Sequence, residues 1–437
     1  MRKALIWGES LVGSGHARIQ SELARQLRAQ GWSVACVTSS KAHTDNFDFG
    51  GTEMVYQPPL RLKSRDSDPY NMASLVTPSG KTLATDEAYR RLRRERLLEF
   101  YRAFRPTVVV TEMWPYARAN FDFELVPLAE AIAVDPRVRM YSIARDIMFP
   151  PRLSSPDSPN LDNDRHGIAA EFFRSRSILV RGDRAVIPLE ASTGTPPDMV
   201  RGIIDYVGYF ACSTPPRAPA VDADRKEVLV SSGGGVTQDS LILFRQAIRA
   251  RRHSAFRDRV WRIFVPHICP DEVFAELEAM AQTEAADGGI VVERNRRDFL
   301  ALLANAELVI CHAGNTVIEA VTAQVAVLVV PRGMAKNNRE QQVRAKAFFD
   351  KGLVGVASLE EIGDPRVLAA KADAAAATAR PATPIMVDGA ARMAQRLTAD
   401  YYAEFGHSGE SGTVIPFGGR IGRLPPAGTE NGDGTYG

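Results

Sequence analysis

Short apolar runs that end at glycine, each followed by apolar residues at helical spacing, recur along most of the chain. Leu5-Ile6-Trp7 stops at Gly8. After Gly13-Ser14-Gly15, the spacing of Ile19, Leu23 and Leu27 predicts a helix that Gly31 ends. Val34–Thr38, Thr107–Thr111, Arg139–Ile143 and Ile178–Val180 are further β-rich runs. Apolar runs of this length between helical segments predict a buried parallel sheet, with right-handed crossover helices on its faces.

The pattern breaks over 212–225, where Cys-Ser-Thr-Pro-Pro-Arg-Ala-Pro-Ala has the composition of a linker. It restarts at Glu227–Ser231, with Leu241, Phe244 and Ile248 on one face of the next helix. Trp261–Val265, Ile290–Val292, Leu308–Cys311 and Ala326–Val330 follow as strands. Two α/β domains are expected, over 1–211 and 226–385, with a helix over about 386–405 placed to return to the first. Residues 406–437 carry few large apolar side chains, too few to offset the entropy of ordering, and are expected to stay disordered. Over 86–104, Arg90, Arg91, Arg93, Arg94 and Arg96 share a helix with Leu92, Leu97, Leu98, Tyr101 and Phe104. That helix reads as an amphipathic surface helix with a solvated charged face; contact with an anionic acceptor or lipid headgroups is the alternative.

A chain of 437 residues with 45% hydrophobic content suffices for two cores. A net charge of +2 gives no general drive toward nucleic acid. Cys36, Cys212, Cys269 and Cys311 lie far apart without a C-x-x-C, so neither a disulfide framework nor a zinc knuckle is implied, and reduced thiols in a cytosolic protein are expected. The apolar run after Met1-Arg2-Lys3 is too short for a secretory signal. The expected location is the cytoplasm, with peripheral contact on the inner membrane face as an alternative.

Three segments carry candidate chemistry. Gly13-Ser14-Gly15-His16 lies beyond the first strand and opens the first helix, where α/β sheets collect ligands. The full dinucleotide fingerprint fails, because position 18 is Arg. His16 is either a structural residue of the helix start or a cleft-facing base, kept neutral by the helix N-terminus. Ser231-Ser232-Gly233-Gly234-Gly235 forms a strand-to-helix turn suited to cradling a diphosphate, or else a flexible turn. From Leu308 to Arg344, one strand leads into His312-Ala313-Gly314-Asn315-Thr316 and the next into Pro331-Arg332-Gly333. A helix beginning at Asn315 or Thr316 offers free N–H groups to phosphate. Glu319, one turn on, can accept a ribose diol or simply favour the helix start.

In this order, the Gly-His opening, the S-S-G-G-G loop, the N-T-x-x-E helix and the P-R…R-E-Q-x-x-R-A segment resemble MurG-type glycosyltransferases. The sequence resembles a bacterial group of predicted MurG-like glycosyltransferases. That group also has segments like Glu112-Met113-Trp114-Pro115-Tyr116-Ala117-Arg118, Ala144-Arg145-Asp146-Ile147 and Arg181-Gly182-Asp183. The resemblance spans about residues 1–380. It implies a GT-B fold, two Rossmann-like parallel-sheet domains facing a cleft, and an inverting, metal-independent transfer from a nucleotide sugar, with UDP the expected nucleotide. Gly233, Gly234, Gly235, Asn315 and Thr316 match diphosphate positions, Glu319 the ribose acid, and Glu340 and Gln341 the donor-sugar segment. Arg332 and Arg339 join this donor side as charge for the leaving diphosphate. His16 matches the histidine near the reaction centre. Gly15, Trp114, Tyr116, Arg118 and Arg145 fall on the acceptor side. Two departures stand out: Gly314 directly precedes Asn315, a shift of one residue, and Tyr116-Ala117 replaces a Phe-Gly pair.

The candidate bases are His16, Glu112 and Asp146, each at or beyond a strand end of the first domain. No cofactor or metal ligand is implied. The expected partners are a nucleotide-sugar donor and a small-molecule or lipid-linked acceptor. Rival readings are a nucleotide-sugar epimerase or hydrolase on the same fold, and a subunit that binds nucleotide sugar without chemistry.

Overall fold

The computed structural model describes residues 1–11, 15–45, 47–64, 67, 71–147, 161–189, 198–211, 226–333, 339–378 and 385–406. Gly13, Ser14, the segment 212–225 and the tail beyond Gly406 lie outside the described residues, as do the side chain of Arg339 and Cys212.

The first domain is built on a parallel sheet of seven strands. These are β1 (Lys3–Trp7), β2 (Ser33–Thr38), β3 (Glu53–Tyr56), β6 (Val108–Glu112), β7 (Arg139–Arg145), β8 (Ile178–Arg181) and β9 (Ile204–Tyr206), in the order β3-β2-β1-β6-β7-β8-β9. A short antiparallel hairpin, β4 (Arg61–Leu62) with β5 (Leu75–Val76), stands apart. The second domain repeats the plan with β10 (Val228–Ser231), β11 (Trp261–Val265), β12 (Ile290–Arg294), β13 (Leu308–Cys311), β14 (Ala326–Val329) and β15 (Gly355–Val356), in the order β12-β11-β10-β13-β14-β15. The sequence pattern finds the central strands of both sheets. It misses β3, β9 and β15, which lie at sheet edges, are only partly buried and lack a continuous apolar run.

Each sheet changes winding direction once, between β1 and β6 and between β10 and β13. Ligands of open α/β sheets collect at such points, beyond the carboxyl ends of the strands. Register places the chemistry there. Trp7 pairs with Thr111, so the chain leaves β1 beside Glu112. Ser231 pairs with Cys311, so the glycine loop leaves β10 beside His312.

The helix Gly389–Phe405 lies on the first domain: Trp32 Nε1 donates to Thr398 at 2.9 Å, and Tyr141 donates its hydroxyl to Asp400 at 2.8 Å. The two domains also share an apolar seam, in which Ile147, Ile187 and Tyr209 of the first pack with Val317, Ala345 and Phe348 of the second. The arginine-rich helix, Glu87–Phe104, departs from the expected solvated charged face at one position. Arg93 is fully buried and bridges Glu9 and Glu124, at 2.9 Å each. Two carboxylates compensate a cation that the apolar interior would otherwise expel.

Candidate active site

The first helix starts at Gly15, so His16 sits in its first turn, beside the end of β6. Its Nδ1 lies 2.7 Å from Glu112 Oε1, with the histidine 13% exposed and the glutamate 1%. Burial holds Glu112 back from ionising, but His16 with its hydrogen bond, Arg118 and Arg145 outweigh that and leave a carboxylate. Burial takes His16 down to about 4, assisted by Arg118 and Arg145 and opposed by Glu112. Burial therefore leads where the sequence suggested the helix dipole. A neutral imidazole whose Nδ1–H donates to a carboxylate presents Nε2 as an acceptor, the arrangement a general base requires. Arg145 Nη2 now lies 3.3 Å from Nε2, while its Nη1 pairs with Glu340 of the second domain at 2.9 Å. The residue following Glu112, Met113, has a φ of 66°, a strained conformation for a non-glycine residue.

The opposite wall comes from the second domain. Gly233 has a φ of 79°, which favours glycine, and its N–H donates to Ser231 Oγ. Arg332 Nη2 donates to the carbonyls of Ser232 (2.9 Å) and Gly235 (3.2 Å), and the Arg332 N–H donates to Gln341 Oε1. Arg332, expected to touch the donor, thus ties down the glycine loop, and Gln341, expected there too, holds the Arg332 backbone. Gly314 is the N-cap of the helix Asn315–Thr322 and supplies no side-chain cap, so its first N–H groups remain for an anion. Thr316 and Glu319 are buried on this helix, and Glu319 pairs with Arg18 of the first domain. The Cβ that an alanine would carry at Gly15 stands 3.5 Å from the Asn315 side chain, so the two loops face each other closely.

Asp146 is placed otherwise than a base. Arg344 grips both its oxygens, at 2.6 and 2.8 Å, and donates further to Glu340 and to the carbonyl of Ala313. Three acceptor-side candidates are buried. Trp114 is wholly buried against Phe172 and Phe173 and donates to Asp122; Tyr116 is buried against His166. Arg118 is buried beside the His16–Glu112 pair: its Nη2 donates to the Glu9 carbonyl and lies 3.8 Å from Glu112 Oε2. Large aromatic side chains beyond a strand end read as a pocket in the sequence, but here they complete the domain core. Sequence reasoning missed Arg18 and Arg181 as cross-domain groups: Arg181 Nη1 donates to Asn315 Oδ1 at 3.1 Å. The signals for Arg181 were its place at a strand end and its Arg181-Gly182-Asp183 segment.

Residues 235–383 match the model of the glycosyltransferase family 28 C-terminal domain. A search of curated proteins finds no match. Among solved structures, the glycotransferase of kitacinnamycin superposes with a TM-score of 0.53 at 16% identity, covering 92% of this chain and 96% of that one. The spinosyn rhamnosyltransferase SpnG, solved with thymidine diphosphate, gives 0.51 at 15% identity, over 92% and 96%. A protein assigned as a UDP-N-acetylglucosamine 2-epimerase from Listeria monocytogenes gives 0.52 at 13% identity, over 92% and 96%. The three likenesses speak to the fold, and the matched segment to the chemistry: the chain is a glycosyltransferase of GT-B fold, and residues 235–383 of its second domain match the family 28 C-terminal domain.

Proposed function

We propose that the protein moves a sugar from a nucleoside diphosphate donor, UDP-sugar in the first instance, to a hydroxyl acceptor, with inversion and without a metal. One observation carries this reading: the buried His16–Glu112 pair of the first domain faces the uncapped helix start at Asn315 in the second. The acceptor oxygen attacks the anomeric carbon while His16 Nε2 takes its proton and Glu112 steadies the cation that forms. The bond from that carbon to the diphosphate oxygen breaks, and its electron pair leaves with the diphosphate. Attack opposite the leaving group inverts the centre. Backbone N–H groups and arginines meet the charge on the leaving group, a role that metals fill elsewhere. Glu112 then orients the base, and Asp146 joins the domains. Acceptor identity is left to the first domain, with a small-molecule or lipid-linked hydroxyl, at the inner membrane face in the latter case, as the classes to screen.

A screen of UDP-, dTDP- and GDP-sugars by calorimetry tests the donor side. Glu319→Ala should weaken nucleotide binding by about 1.5–3 kcal/mol, the scale of a hydrogen bond to a charged group. Unchanged affinity in a folded variant would remove Glu319 from the donor site. Turnover should persist in excess chelator; complete loss, restored by magnesium or manganese, would exclude the metal-independent scheme.

The epimerase-assigned structure of similar fold motivates the second reading. Incubation with UDP-sugar alone separates them. An altered UDP-sugar indicates epimerisation, free sugar with UDP indicates hydrolysis, and turnover only with an acceptor supports transfer.

A further inference from the structure

Arg181 stands at the end of β8, one strand beyond β7 on the far side from the base, and its side chain is 5% exposed. Burying a guanidinium costs several kcal/mol unless all its donors are used. Here they are not: Nη1 donates to Asn315 Oδ1 across the cleft, while Nε has no partner among the described residues. The surroundings add to the cost. Burial disfavours its charge most, Asp146 is the chief compensation, Arg145 and Arg344 nearby add to the penalty, and Glu112 offsets a part of it. Arg145 and Arg344 themselves share Glu340, and Arg344 takes Asp146. A buried cation with an unused donor, directed at a helix start whose own N–H groups are uncapped, marks a place for an anion that neither domain completes alone.

We infer that Arg181 is a catalytic residue that reaches across the cleft to the leaving diphosphate, completing its site only when the domains are together. This rests on the donor reading above and adds a first-domain residue to it. The β-phosphate is the group specified, because it carries the charge released when the sugar departs. The arrangement has a consequence for the open protein. With the domains apart, the Asn315 helix start holds nucleotide without Arg181, so charge on the leaving group is stabilised only after closure. Unproductive loss of donor to water is thereby limited.

The test is calorimetry with UDP and UMP on the full chain and on Arg181→Gln, with melting temperatures recorded. Arg181→Gln should lose about tenfold or more in UDP affinity, the scale of a charged hydrogen bond, and under about threefold for UMP, which lacks the β-phosphate. If Arg181→Gln fails to fold, Arg181→Lys serves, since it retains a buried charge with a shorter reach and no planar fork; its UDP loss should again exceed its UMP loss. Equal losses for UDP and UMP in either variant would make Arg181 a structural tie to Asn315 and overturn the inference, as would unchanged UDP affinity. Parent protein that binds no nucleoside diphosphate would overturn the donor reading and this inference together, whereas parent binding with an indifferent variant overturns the inference alone.

Discussion

Replacing His16 with alanine should lower kcat by roughly 10²–10⁴-fold, the span for a lost general base, while nucleotide affinity barely changes. The second follows from the geometry, because the glycine loop and the Asn315 helix belong to the other domain. The first follows from the Glu112 hydrogen bond, which fixes the proton on Nδ1 and leaves Nε2 to accept. The pH dependence is set by burial, which outweighs the opposing Glu112 contact. A base works only when unprotonated, and burial places His16 near about 4, so the rate should fall as pH drops through that region rather than through the ordinary histidine range near 6.5. Glu112→Gln should give an intermediate loss, since the amide still accepts from Nδ1 but no longer balances the imidazolium. Measuring kcat, nucleotide affinity and melting temperature on the alanine variant separates catalysis from structure. A kcat within about tenfold of the parent, under ~1.4 kcal/mol of barrier, would remove His16 as the base.

Asp146→Ala should destabilise the protein by about 3–5 kcal/mol, the cost of leaving one partner of a buried ion pair without the other. Arg344 is the partner left behind, with the Glu340 carboxylate on one nitrogen and the neutral Ala313 carbonyl on another. Because the pair joins the domains, the loss should show as opening as well as unfolding. Chemical denaturation gives the energy, and small-angle scattering without nucleotide should show a larger radius of gyration than the parent. Nucleotide should restore part of the compaction, since it adds contacts to both walls. A stable variant with an unchanged scattering profile but no turnover would return Asp146 to the list of bases and overturn its reading as an interdomain tie.

Much of the site was legible in order but not in roles. The loops that matter follow strands in the sequence, and strand ends are readable from apolar runs and glycines. That placed Gly233–Gly235, Asn315 and Glu319 on one wall and His16 with Glu112 on the other. The sequence also put Trp114 and Tyr116 among the acceptor contacts, whereas the structure buries both rings. An aromatic side chain is drawn equally to a core and to an apolar pocket, and only its neighbours decide. Phe172, Phe173 and His166 took the two rings into the first domain.

By itself the sequence determined two parallel-sheet units, their central strands and the loops at the carboxyl ends, because buried parallel strands write a continuous apolar run into the chain. The tertiary structure alone decided which charged groups meet. His16 and Glu112 lie 96 positions apart, and Asp146 and Arg344 lie 198 apart. No periodicity records such pairs, since register between β1 and β6 creates the first and domain packing the second. Arg93 shows the same limit. On a helix of five closely spaced arginines it reads as solvated, and it is buried because Glu9 and Glu124 arrive from other elements to compensate it. Charge tolerates burial only where an opposite charge is brought to it, and the fold is what brings it.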